Sequence, residues 1–250
     1  MKTLYGIVPA LAGIMGIGAP ALAQRTTPDA LVANAVETVQ RQYNSSFGAH
    51  PQLYNGPEYI DYARRYHAQI GHQFFRVPGL QSGDVYYNNH YFPNVRLSYD
   101  VVLDQVVVPQ PTSPLTLRLV NERVRSFTVD GHHFIRLVAD STAGGVIRTG
   151  YYEVLADSRV QLLAKRAKRT QEQISDRLID IEFIPMDRLF IKKTDRYYPV
   201  SSKSAVVRVF ADREREVQQF IQSNKLKFSK LQLEASVVQL TQYYNGLPAQ

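Results

Sequence analysis

The chain contains no cysteine and no tryptophan among its 250 residues. Without cysteine there is no disulfide, no thiolate metal site and no thiol for the acylation that anchors a bacterial lipoprotein, so the fold must rest on its core alone. Without tryptophan there is no indole to stack on a sugar ring, which counts against a carbohydrate-cleaving cleft. Beyond Ala23 no apolar run approaches the roughly 20 residues of a spanning helix, so no helical anchor is expected there. Membrane barrels alternate only weakly, but the strand segments here are short and helical ends fit a barrel poorly, so a soluble domain is expected. Strong charge is missing as well. A formal charge of +7, spread along the chain, weakly favours anionic partners such as lipid head groups, phosphorylated glycans or acidic proteins, and is too scattered to indicate nucleic acid.

The amino terminus carries the clearest signal. Met1, Lys2 and Thr3 make a short basic start, Leu4 to Gly18 is almost wholly apolar, and Ala21, Leu22 and Ala23 set a small-x-small pattern before Gln24. Residues 1–23 therefore read as an export signal cleaved after Ala23, and residues 24–250 as one domain in the periplasm or outer envelope. Gly16, Ile17 and Gly18 resemble the start of a dinucleotide fingerprint, but they lie in this leader and follow no strand.

The period of the hydrophobic pattern then changes twice. Thr27, Pro28 and Asp29 open an amphipathic helix whose apolar residues, Leu31, Val32, Ala35, Val36, Val39 and Tyr43, recur at helical spacing and should pack. Residues 44–57 read as a connector, and Glu58 to Tyr66 as one or two helical turns. Alternation of period two follows over Asp84–Tyr87, Tyr91–Tyr99, Gln105–Val108, Leu115–Val120, Val124–Val129, His133–Val138, Val146–Leu155, Arg159–Lys165, Ile179–Ile184, Leu189–Lys192 and Tyr197–Val200. Asn88-Asn89, Asp130-Gly131 and Gly144-Gly145 supply turns, and Thr170 to Arg177 reads as a polar loop. Ser201 or Ser202 starts a short helix, Asp212 caps a second that stops at Asn224, and Ser229 with Gln232 opens a third that ends at Gly246 and Pro248. The expected fold is α+β: a single curved antiparallel sheet, in one version a half-open barrel, with the N-terminal helix and the C-terminal helices packed on it.

Few residues form a recognisable chemical motif. His67 and His72 lack the i, i+4 spacing that places two imidazoles on one helix face, and His132 and His133 point to opposite sides of a strand, so no metal and no cofactor is expected. No Gly-x-Ser-x-Gly turn presents a nucleophile. Asp100 with Asp104, or Asp180 with Glu182, are candidate acid and base pairs, and a hydrolase acting on envelope glycans through Asp180, Glu182 or His72 is one alternative. Solvated strand acids and turn aspartates explain the same residues, so no catalytic residue is assigned.

Two features point to binding instead. The run Lys165, Arg166, Lys168, Arg169 can meet phosphate on a lipid or glycan, or be a solvated strand end. Tyrosine doublets at Tyr86-Tyr87, Tyr151-Tyr152, Tyr197-Tyr198 and Tyr243-Tyr244 send one ring inward and one outward on a strand, so an exposed face with Tyr86, Tyr91, Tyr99 and Tyr151 can hold a glycan, peptide or acyl chain. β-propensity alone explains them equally.

Several phrases occur together: Tyr54, Asn55, Gly56, Glu58, Tyr59; Gly71, His72, Phe74, Phe75; Tyr91, Asn94, Leu97, Tyr99, Asp100, Asp104; Gly150 to Leu155; and Asn224, Lys225, Leu226. In these the chain resembles a group of exported envelope proteins of Gram-negative bacteria whose function is uncharacterised. The resemblance implies export and a single envelope domain, and carries no catalytic role. The leading expectation is a non-catalytic envelope protein that binds an amphipathic ligand or a partner protein through its sheet, with a structural partner of an outer-membrane complex as a further alternative. Intact-mass measurement of protein secreted by a Gram-negative host is expected to show a chain beginning at Gln24; a chain retaining Met1 would contradict the leader.

Overall fold

The computed structural model describes residues 51–139 and 145–248, with Val32, Val36, Thr38 and Val39 as isolated positions before them. Backbone contacts divide the chain into Met1–Tyr43 and Asn44–Gln250, and every described strand belongs to the second unit. β-branched and aromatic residues at every second position build these strands. In chain order they are β1 (Gln69–Ile70), β2 (Gln81–Tyr87), β3 (His90–Asp100), β4 (Gln105–Pro109), β5 (Thr116–Arg118), β6 (Val124–Val129), β7 (His132–Leu137), β8 (Gly150–Ala156), β9 (Gln161–Lys165), β10 (Lys168–Ser175), β11 (Leu178–Pro185), β12 (Arg188–Lys193) and β13 (Arg196–Val200). Ten of them form one antiparallel sheet in the order β13-β12-β9-β8-β7-β6-β2-β3-β4-β5. Its two end strands do not pair, so the sheet is not closed into a barrel. β1, β11 and β10 form a separate small sheet, in which β1 runs parallel to β11.

Four hairpins share one turn chemistry. Asn88-Asn89, Asp130-Gly131, Asp176-Arg177 and Thr194-Asp195 each have positive φ at both positions, the two-residue turn whose twist matches that of its strands. Asn, Asp and Gly tolerate that conformation, which is why the first two turns are legible in the sequence.

The core has two main parts. Along β2 to β8, Tyr99, Phe127, Phe134 and Tyr151 pack ring against ring, with centroids 4.8–5.8 Å apart, inside a wider cluster of buried valine and leucine. Each such aromatic pair contributes about 0.5–1.5 kcal/mol beyond its buried area. At the other end, Leu162, Leu189, Ile191 and Val200 are covered by α1 (Lys203–Val209), α2 (Glu214–Ser223) and α3 (Leu233–Gly246) through Val206, Phe210, Val217, Ile221, Val237 and Leu240. The opposite face of β8, β9 and β12 carries Tyr152, Leu163 and Phe190 under Ile147. Both sides of the sheet are therefore occupied here.

Several expectations need correction. Val32, Val36 and Val39 are helical but 61%, 56% and 67% exposed, so those three do not pack; Leu31, Ala35 and Tyr43 lie outside the described residues, as does Gly144. The expected polar loop at Thr170–Arg177 is instead most of β10 plus the β10–β11 turn. Exposed from Arg169 to Ile174, β10 shows no apolar alternation and is paired along its backbone ladder with β11. β8 starts at Gly150 rather than Val146. Ser202 does cap α1, its hydroxyl accepting from the Ala205 amide, and Asn224 does end α2.

Asp212 is not a cap. α2 begins at Glu214, and the Asp212 carboxylate accepts from Lys193 Nζ at 2.6 Å and from the Tyr244 hydroxyl at 2.5 Å, joining β12 to α3. Burial alone would raise its pKa, but the ammonium and hydroxyl outweigh that and hold it below the ordinary carboxylate value. A folded-state pKa below the unfolded one gives stability that is present above the unfolded value and lost as pH falls through the folded value. Asp212→Asn is therefore expected to lower the urea midpoint at pH 7, with the gap from wild type closing as pH drops through the carboxylate range; a gap independent of pH would contradict this.

Candidate functional site

The basic run at residues 165–169 is divided among different surroundings by strand alternation. Arg166 turns to the helix-covered side. Its Nε donates to Glu153 at 2.5 Å, Nη1 to Asp187 at 2.8 Å and Glu234 at 2.6 Å, and Nη2 to Glu234 at 2.8 Å. Glu153 is 2% exposed and also engages His132 Nδ1. Desolvation would lower the Arg166 pKa, but these carboxylates outweigh it and raise it.

Lys165 turns the other way. Its Nζ contacts Asp104 at 2.7 Å and donates to the Tyr151 carbonyl at 3.1 Å, while Asp104 also accepts from the Tyr99 hydroxyl at 2.5 Å. Gly150 makes this possible: its φ is +153°, and a Cβ there would lie 2.1 Å from Asp104 Oδ2 and 2.6 Å from Lys165 Nζ. Lys168 Nζ donates to the carbonyls of His72 and Phe74, both at 2.7 Å. Arg169 is exposed and hydrogen-bonds Gln171. Burial lowers the pKa of both Lys165 and Lys168. The run is neither a solvated strand end nor a free phosphate clamp, because Lys165, Arg166 and Lys168 are committed to internal partners.

The tyrosines divide in the same way. Tyr99 and Tyr151 are 1% and 0% exposed and belong to the aromatic core, so the expected exposed row containing them does not form. Tyr152 is buried too, because both faces of β8 are covered. Tyr86 and Tyr91 are a directly opposed cross-strand pair, Tyr91 exposed and Tyr86 half-buried beneath the Arg125 guanidinium.

The candidate carboxylates have structural partners. Asp100 is buried, accepts from the Tyr59 hydroxyl at 2.8 Å and from the amides of Val102 and Leu103, and is raised in pKa by desolvation. Asp180 accepts from the Ala68 amide at 3.0 Å and lies 3.2 Å from His67 Nδ1. His72 Nδ1 is buried without a hydrogen-bond partner, and no hydrogen bond joins His72 to Asp180 or Glu182 among the described residues. Among the described residues no group of three or more His, Cys, Asp and Glu side chains is arranged to hold a metal ion.

Two adjoining hollows lie at the β12 end of the sheet. A trough of about 530 Å³ runs along Leu189, Phe190, Pro199 and Val200 and is closed by Phe228 and Leu233 from the segment entering α3. Beside it a pocket of about 260 Å³ has Tyr152, Phe190 and Met186 as apolar walls and a strongly basic lining. Val146, Arg188 and Phe190 border both. Sequence reasoning reached Lys165, Lys168 and Arg169 here but missed Arg148, Arg188, Phe190 and Phe228. Only the alternation of Arg188 and Phe190 with Leu189 and Ile191 marked any of them, as residues on the face away from the helices.

Comparison with protein-family models, with curated proteins and with solved structures finds no match for this chain. The site is therefore read from its own geometry.

Arg166→Ala would leave the buried Glu153 carboxylate without its cation, a change that typically costs about 3–5 kcal/mol. Urea unfolding of the variant is expected to show a loss of that order; a loss below about 1 kcal/mol, the worth of a surface pair, would mean that the network carries no structural burden.

Proposed function

We propose that the protein is an exported, non-catalytic protein of the cell envelope that holds an amphipathic ligand whose apolar part lies in the trough between β12, β13 and the start of α3. The trough carries this reading. Its volume of about 530 Å³ falls within the roughly 300–1,000 Å³ typical of small-molecule sites. Phe190, Leu189, Val200 and Phe228 line it, and the first three are anchored in a hydrogen-bonded sheet, so an apolar chain entering it displaces water at little cost in ordering. The leader pattern at residues 1–23 supports export.

This reading moves the ligand away from the Tyr-rich face. The core side of β2–β8 is filled by Tyr99, Phe127, Phe134 and Tyr151, which pack on one another. The hydrolase alternative has less support, since Asp100, Asp104 and Asp180 are each engaged by hydroxyl, amide or ammonium groups of the fold.

The apolar fluorophore N-phenyl-1-naphthylamine tests it. Purified protein lacking residues 1–23 is expected to raise the dye's emission saturably, and Phe228→Ser, at a half-buried wall position, to weaken binding by about tenfold, the worth of roughly 1.4 kcal/mol, with the circular dichroism spectrum unchanged. Absence of saturable binding, or equal binding by the variant, would refute the trough as the site.

A further inference from the structure

We infer that the ligand's head is a single compact anion, a carboxylate or phosphate monoester on a linear aliphatic chain, seated in the basic pocket beside the trough. The inference rests on the trough reading and adds the chemical class of what it binds. Five cationic side chains, Arg148, Lys165, Lys168, Arg169 and Arg188, line this pocket, and no carboxylate does. Charge of one sign gathered at a concave, partly apolar surface is electrostatically unfavourable unless something offsets it. The fold offsets part of it: Asp104 faces Lys165, two carbonyls accept hydrogen bonds from Lys168, and the Gln171 side-chain oxygen accepts one from Arg169.

The guanidiniums of Arg148 and Arg188 have no such partner among the described residues. Both side chains are exposed, Arg188 sitting on the wall common to pocket and trough and Arg148 on the segment leading to β8. Guanidinium presents forked N–H donors that match carboxylate and phosphate oxygens two at a time, so this pair is the chemistry that grips an anion at the mouth while Lys165 and Lys168 supply charge from deeper in. Tyr152 and Phe190, in edge contact with centroids 5.8 Å apart, provide the apolar wall along which the first carbons leave the head. Phe190 and Val146 border both hollows, so apolar surface connects the cations to the trough. A cationic head would meet five like charges and no carboxylate in the lining.

Displacement of bound N-phenyl-1-naphthylamine by twelve-carbon compounds of equal chain length, each below its micelle-forming concentration, tests this. Dodecanoate and dodecyl phosphate are expected to displace the dye at concentrations about tenfold or more below those of dodecanol and dodecyltrimethylammonium, as charge-assisted hydrogen bonds allow. The double variant Arg148→Ala/Arg188→Ala, altered at exposed positions, is expected to reduce that advantage to about twofold, the remainder left to the lysines. Inorganic phosphate alone is expected not to displace the dye. Equal displacement by dodecanoate and dodecanol would overturn the anionic head and leave the trough standing; displacement by inorganic phosphate would make the pocket a free-anion site and overturn the chain-bearing ligand. Failure of every twelve-carbon compound would overturn the trough and the head together.

Discussion

Arg166 holds the junction on which the β12 end of the molecule depends. One guanidinium meets Glu153 on β8, Asp187 in the turn before β12 and Glu234 in the first turn of α3, and through Glu153 it reaches His132 on β7. Asp187 borders the trough, and Leu233, next to Glu234, closes it. The same contact that compensates a buried charge therefore sets the spacing between sheet and helix from which the trough is made. A buried ion pair of this kind gives little net stability compared with apolar packing, and its value lies in fixing one arrangement of the elements it joins.

The two ends of the sheet solve different problems. At the β2–β8 end the tyrosines and phenylalanines fill their own space, and a chain without disulfides gains a core dense enough to stand alone. Three of the tyrosine hydroxyls find polar partners: Tyr59 in Asp100, Tyr99 in Asp104, Tyr151 in Asn121. At the β12 end the helices cover much of one face, and the hollows open where β12 begins and β13 ends. Aromatic residues are structural at the first end and line a cavity at the second.

Much of the fold is legible in the sequence. Strands with one covered face, such as β6 with Phe127 and Val129 inward on either side of Thr128, announce themselves by alternation, and Asn88-Asn89 and Asp130-Gly131 announce their turns. β10 is illegible because Thr170, Gln171, Glu172 and Gln173 are all exposed and their strand is defined by backbone pairing with β11, not by an apolar face. The site is harder to read for a related reason. Lys165 and Arg166 are neighbours in sequence but face Asp104 and Glu234, which come from distant parts of the chain. Likewise Tyr151 and Tyr152 violate the rule of one ring in and one ring out only because both faces of β8 are covered, a fact of tertiary packing.

A crystal structure of the protein grown with dodecanoate tests the central claim most directly. The expected result is carboxylate density between Arg148 and Arg188 with the aliphatic chain passing Phe190 toward Phe228, and Arg166 still joined to Glu153, Asp187 and Glu234. A trough filled by the protein's own side chains, or dodecanoate bound elsewhere with the basic pocket empty, would contradict it.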